Sequence, residues 1–396
     1  MIAEVADPQG RSELKLELLT NLGVALAATS GYAAPEVEDA YQQARKLCEL
    51  SATPELLFPI VRGLGTFYFV RCDLASAADM SASCVKLAQE SQRTAFVIEA
   101  LSFRGYVCVY RGQLAEGRAA LEECIDRYRT HNGQDLRYPS PQDAGTAAWS
   151  LLGIAAWLMG DTAATEAAVA GALEHVERLC RPFDTAYAHV WIAMLRNMQR
   201  RFDEAQHHAK RCIDISVPHG FTTWFVASTM HECIAQASRL PSPESIATLR
   251  HMLGLFIQAG AEANAPFFLW GVAQGLRLTG DTVAARDALD EAMRRADATG
   301  ESYLKSELLI LAAALAADDA TACAQLREAL TLAEGQGAVS LSLRAALELL
   351  RRQGKSSDDP QRDREALRAL DGATPYPAQP DWALAALRRA RLALGS

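Results

Sequence analysis

The chain has 396 residues, half of them hydrophobic, and a formal net charge of −9. That length suits two or three ordinary domains or one long array with a sizeable buried core. No Lys/Arg-rich block occurs, so the basic patch that a nucleic-acid binder needs to neutralise phosphates is missing.

Ala and Leu dominate, and no alternating run of Val, Ile or Thr stands out, so an all-α chain is predicted. The N-terminal MIAEVADPQGRSELK lacks a charged stretch followed by an apolar one. It is not read as a signal peptide, and a cytoplasmic protein is expected. Leu22-Gly23 opens a first hairpin, with a second helix predicted from Pro35 to Leu50. Further on, RGQLAEGRAALEEC at 111–124 is nearly repeated in MGDTAATEAAVAGALE at 159–174 and TGDTVAARDALDEAM at 279–293.

Aligning these copies places the end of each unit's first helix at Cys72, Gly112, Gly160, Arg200 and Gly280. The period is about 40 residues, with one longer step and one double step that hides a degenerate unit. A small residue precedes each anchor at a fixed distance: Gly65, Gly105, Gly153, Ala193 and Ala273. Another follows it: Ala77, Gly117, Thr165, Ala205 and Ala285. Two antiparallel helices approach closely only where their crossing point lacks bulk. A Gly at the anchor suits a helix C-terminus that needs positive φ, and Asp161 or Asp281 after it can cap the next helix. Each unit is therefore a helix–turn–helix hairpin, and such hairpins bury their apolar faces only by stacking.

The longer step holds HNGQDLRYPSPQD, a turn-rich insertion. The uncharged run AGTAAWSLLGIAAWLMG, Ala144 to Gly160, is short for a membrane span and flanked by Asp143 and Asp161, so a buried helix and no membrane partner are expected. GKSSDDPQRDRE, from Gly354 to Glu365, is a polar connection, and DWALAALRRARLALGS is an amphipathic terminal helix. In sum, a single array is expected over 1–396. It divides into N-terminal repeats over 1–130, an inserted loop over 131–143, central and C-terminal repeats over 144–353, and a polar connection with capping helices over 354–396.

Catalytic motifs fail on inspection. Gly354-Lys355-Ser356 lacks the first Gly of a phosphate loop, and Leu349 stands in its place. His231-Glu232 starts a zinc-protease motif, but Ala235 replaces the second His. His208 and Cys212 share a helix face beside His207, too few for a tetrahedral site. The nine cysteines show no paired spacing, and Cys84, Cys108, Cys124 and Cys212 read as small buried hydrophobes. No metal, no cofactor and no enzymatic activity are expected.

Leu64-Gly65 with Tyr68, and Leu152-Gly153, resemble the tetratricopeptide pattern, although the period here exceeds that repeat's roughly 34 residues. Together with SGYAAPEVEDAYQQARKL, LLFPIVRGLGTFYFVRCDLASA, NGQD, HGFTTWF and TGESYLKSELL in this order, the chain resembles a particular repeat region. That region belongs to large bacterial signalling proteins carrying a class III adenylate/guanylate cyclase or DNA-binding domain, then an AAA-type ATPase, then the array. The resemblance covers nearly the whole chain. It implies a TPR-like α-solenoid of about nine hairpins in a right-handed superhelix, acting as a regulatory array. The catalytic parts of such proteins are absent, so the chain is expected to be a C-terminal fragment or a free-standing relative.

The same resemblance implies that first helices line the concave side. Inward positions then lie three before, and one and four after, each small residue. They include Thr66, Ser102, Val109, Ser150, Ile154, Val190 and Gln274. The candidate partner-binding residues among them are Arg62, Phe69, Tyr106, Trp157, Met194, Asn197, Trp270 and Arg277. Trp157 and Trp270 equally suit core between repeats, whereas Arg62 and Arg277 require an acidic partner or water. Trp224, Phe225 and Met230 form a second stripe that suits either an adaptable wall or core. The expected partner is a protein or peptide, ATPase or cyclase domains of a longer parent chain, or a small effector. The alternatives are a scaffold or homodimer joined through an apolar patch near Trp382, Leu384 and Leu387, and an all-helical enzyme with a groove active site.

Overall fold

The computed structural model describes residues 8–48, 53–132, 140–354, 361 and 382–395. Eighteen α-helices and no strand occur among the described residues. The first three hairpins are α1 (Pro8–Thr29) with α2 (Pro35–Cys48), α3 (Pro54–Val70) with α4 (Leu74–Ser91), and α5 (Thr94–Tyr110) with α6 (Leu114–Thr130). The next three are α7 (Ala144–Leu158) with α8 (Thr162–Leu179), α9 (Pro182–Met198) with α10 (Phe202–His219), and α11 (Thr222–Arg239) with α12 (Pro243–Gln258). The last three are α13 (Ala265–Thr279) with α14 (Thr282–Thr299), α15 (Lys305–Leu315) with α16 (Asp319–Gln336), and α17 (Val339–Arg352) with α18 (Trp382–Leu394). The chain is a helical solenoid of stacked hairpins, as predicted.

Local chemistry makes the turns. All five anchors adopt positive φ, from 58° at Cys72 to 90° at Gly280. The residue after each anchor donates its N–H to a carbonyl five residues back, as Asp161 does to Ala156 and Asp281 to Leu276, which satisfies helix-end carbonyls in a Schellman arrangement. The carboxylates of Asp73, Asp161 and Asp281 then accept from Ser76, Ala164 and Ala284 N–H, capping α4, α8 and α14. Small residues sit where helices cross. A Cβ on Gly117 would lie 2.9 Å from the Gly105 carbonyl oxygen. The run at Ala144–Leu158 is a helix buried at every position but Trp149, and no helix among the described residues is long and apolar enough to cross a membrane.

The array winds until its later hairpins meet its earlier ones. The carbonyl of Val70, at the end of α3, accepts from Glu262 N–H at 2.8 Å and Ala263 N–H at 3.0 Å. The same stretch of chain further on, Tyr110 at the end of α5 accepts from Ser302 N–H at 2.9 Å. Trp157 beside the end of α7 accepts from the Ser340 hydroxyl at 2.5 Å. Met198 at the end of α9 accepts from Arg344 Nη2 at 2.8 Å. Glu301 lies in this seam, where its carboxyl Oε2 accepts from Cys72 Sγ–H at 3.2 Å and Asn264 N–H at 3.1 Å. Burial pushes the Glu301 carboxyl up to about 7.

Several expectations need correction or fall elsewhere. The Leu384–Leu387 patch is not free: Leu387 is buried with Ala383, Ala386 and Ala390 against α17. The Trp382 side chain, most of the inserted loop (133–139) and most of the polar connection (355–360 and 362–381) lie outside the described residues.

Two predictions follow from the packing and the seam. Gly117→Ala forces its new methyl against backbone, so it costs about 1–3 kcal/mol despite Ala's better helix propensity. Gly335→Ala, with open space around it, gains up to about 1 kcal/mol; urea denaturation of both variants checks the contrast. Glu301 has a folded value of about 7 against an ordinary 4.5, so the folded state holds its proton more tightly. Its stabilising contribution is complete below 4.5 and is lost as pH rises through 7. Glu301→Gln is therefore more stable than wild type at pH 8, by roughly 1–3 kcal/mol, and the advantage fades towards pH 4.5. Parallel melting profiles of the two proteins across that range would contradict this.

Candidate functional site

Among the hairpins lies an open-sided cavity of about 80 Å³. Its wall is made of side chains from first helices. Thr66, Phe69 and Val70 come from α3, Tyr106 and Tyr110 from α5, and Leu151 from α7. Tyr187, Val190, Trp191 and Met194 form one face of α9; Thr223, Trp224, Ala227 and His231 do the same on α11. Phe256 of α12, Ala263 and Asn264 in the following turn, and Phe268 of α13 close the far side, and Tyr32 and Gln142 complete it from loops.

Aromatic rings form most of this wall and touch one another in sequence. Phe69 meets Tyr106 at 4.8 Å and Tyr110 at 4.7 Å between ring centres. Tyr110 reaches Trp191 at 6.5 Å, Tyr187 meets Trp191 at 5.9 Å and Trp224 at 5.3 Å, and Trp224 meets Tyr32 at 6.0 Å. Polar groups on the wall are few. The Tyr32 hydroxyl donates to Gln142 Oε1 at 2.7 Å. The Tyr110 and Tyr303 hydroxyls both donate to Asn264 Oδ1, at 2.8 and 2.7 Å. Among the described residues no Lys, Arg, Asp or Glu lines the cavity. His231 is buried, and burial alone drops its imidazole to about 3, so it is neutral. Its Nδ1 and Nε1 of Trp224 are buried without a hydrogen-bond partner.

The structure distributes the sequence-predicted residues unevenly. Phe69, Tyr106 and Met194 lie on the cavity wall. Arg62 lies in a smaller adjoining recess shared with Tyr32, Thr66 and Gln142. The acidic partner it required is Glu99, whose Oε2 sits 3.4 Å from Arg62 Nε, and the guanidinium packs 4.6 Å over Phe103. Burial, countered by Arg62, lifts the Glu99 carboxyl to about 7. Trp157, Trp270 and Asn197 depart from the expected groove positions. Trp157 is completely buried beneath Arg344, and Trp270 is stacked on Phe267 under Arg200. Asn197 is buried with its amide donating to the His231 carbonyl at 3.0 Å. Arg277, half-buried near the end of α13, bonds to Gln274 and lies off the wall.

The physical reason is a drift of the wall along successive helices. It lies near the C-terminal ends of α3 and α5, centrally on α7 and α9, and mainly in the N-terminal halves of α11 and α13. A fixed offset from the small residue therefore misses Tyr187, Trp191, His231 and Phe268. Trp224 was legible in its aromatic stretch, but Phe225 and Met230 beside it join the core around the cavity. Gln142 carried a signal too, as part of the inserted loop. The other histidines form no metal centre. His208 pairs with His189 (Nδ1 to Nδ1, 2.8 Å), burial lowers them to about 3 and about 4, and no cluster of three or more metal-type ligands occurs among the described residues.

No family model matches the chain. It is 25% identical over 353 residues to the uncharacterized protein R02095 of Rhizobium meliloti (strain 1021), covering 86% of this chain and 34% of that protein. The chain thus spans about a third of the length of that relative. Among solved structures it is similar to a Rap protein complexed with competence and sporulation factor. There the TM-score is 0.59 and the identity 11%, over 91% of this chain and 96% of that one. It is also similar to NprR in complex with its cognate peptide NprX, with a TM-score of 0.55 and 14% identity over 87% and 97% of the two chains. At these identities the likeness concerns the fold, which is that of TPR-like helical repeat proteins.

Proposed function

We propose that this chain is the non-catalytic, ligand-binding regulatory array of a bacterial signalling protein, working in the cytoplasm. The observation that carries this is the cavity itself: side chains from seven hairpins converge on one space, and the seam that closes the array borders it. Among the described residues the wall offers aromatic surface and a neutral His but no carboxylate, Lys or Cys to act as acid, base or nucleophile, which argues for binding rather than turnover. The Rap and NprR complexes, arrays of this fold with a factor or peptide bound, support the same reading, as does the greater length of the Rhizobium relative. Catalytic domains of an ATPase or cyclase type, attached in a longer parent, would receive the output.

Mechanism follows from the geometry. Asn264 lines the cavity and also ties the seam, through its N–H to Glu301 and its Oδ1 to Tyr110 and Tyr303. A ligand seated against Tyr110 and Asn264 favours the closed winding over more open ones. Its effect on attached domains equals its difference in affinity between those states. Small-molecule and peptide fractions of the source cell are expected to contain one that raises the melting temperature of the wild-type array. A Tyr187→Ala, Trp191→Ala double variant of unchanged helical content should lose that response. Equal stabilisation of both proteins, or of neither, would sink the proposal.

A further inference from the structure

We infer that the cavity takes a small, uncharged, ring-bearing organic molecule rather than an extended peptide or an ionic effector. This rests on the proposal that the cavity is the ligand site. Three observations select the class.

The first is charge. Among the described residues no ionic side chain lines the wall, and Arg62 in the adjoining recess is held beside Glu99. A carboxylate, phosphate or ammonium entering this space would lose its water without gaining a counter-ion. The second is ring surface. The unbroken run of ring contacts from Tyr106 to Tyr32 presents flat, weakly hydrated faces that suit stacked or edge-on rings. The third is hydrogen-bond capacity. A peptide brings one donor and one acceptor per residue, yet the side-chain amides on the wall are Gln142 and Asn264, whose oxygens are already occupied by tyrosine hydroxyls. The rest of the exposed lining is largely apolar, so an extended main chain entering it would leave donors and acceptors unpaired.

The test uses two dyes of one skeleton, neutral N-phenyl-1-naphthylamine and anionic 8-anilinonaphthalene-1-sulfonate, titrated into the full chain. Binding is read by dye emission and by energy transfer from Trp191 and Trp224. The neutral dye should saturate at one site per chain, and the anionic one should bind at least about tenfold more weakly. Ala227→Trp fills the cavity and should weaken neutral-dye binding at least about tenfold. Val190→Phe, a smaller insertion on the same wall, serves if the Trp variant loses its helical circular dichroism. Comparable affinity for both dyes, with both lost on filling, would keep the cavity as the site but overturn the uncharged class. Displacement of the neutral dye by a random decapeptide pool at similar concentration would also overturn it. Neutral-dye binding that survives both filling variants would instead remove the cavity as the ligand site.

Discussion

The carbonyl groups at the ends of the first helices hold the architecture together. A helix leaves its last carbonyls without intrahelical partners. Here those of Val70, Tyr110, Trp157 and Met198 are met by donors from hairpins far along the chain. Each such bond joins the early hairpins to the later ones that wind past them. The regular spacing of the partners reflects the regular hairpin length. These bonds act together with side-chain ties across the same seam, such as Cys72 to Glu301 and Arg200 to Glu307, in setting how tightly the stack winds.

Tight winding has consequences for where charge goes. The concave wall is left to rings and amides, and ionic groups are paired elsewhere in the stack. Glu307 is buried between Arg200 and Arg344, its carboxyl kept below its ordinary value by those two cations despite burial. Arg196 is likewise buried beside Glu166 and Glu204. Buried pairs of this kind add little net stability, but breaking one is costly, so they specify which helices lie side by side. Glu301 is the exception, a carboxyl in the seam with no cation among the groups that set its acidity.

The same winding explains why groove residues were hard to locate in advance. A constant register on each first helix picks out Thr66 and Phe69 on α3 and Tyr106 on α5, all on the wall. By α9 that register gives Val190 and Met194 but also Asn197, which lies beneath the surface against the His231 carbonyl. By α13 it gives Trp270, buried against Phe267, while the wall is made by Phe268 and Asn264. Each hairpin is displaced along its own helices relative to the cavity, so the inward face shifts towards the N-terminus by about one turn or more per few units.

The sequence alone determined the hairpins. Small residues such as Gly105 and Gly117, anchors at positive φ such as Gly160 and Gly280, and the capping Asp161 and Asp281 act within one unit. Their effects are local and repeat with the chain. It also made Arg62 legible as a cation in need of an acid. The tertiary structure alone decided which aromatic residues face inward and which are core. It also decided that Tyr32, Gln142 and Asn264, from three separate connections, meet at one cavity, and that Glu301 sits in a seam. Those outcomes depend on the pitch of the winding, a sum of small rotations over many hairpins that no single repeat encodes.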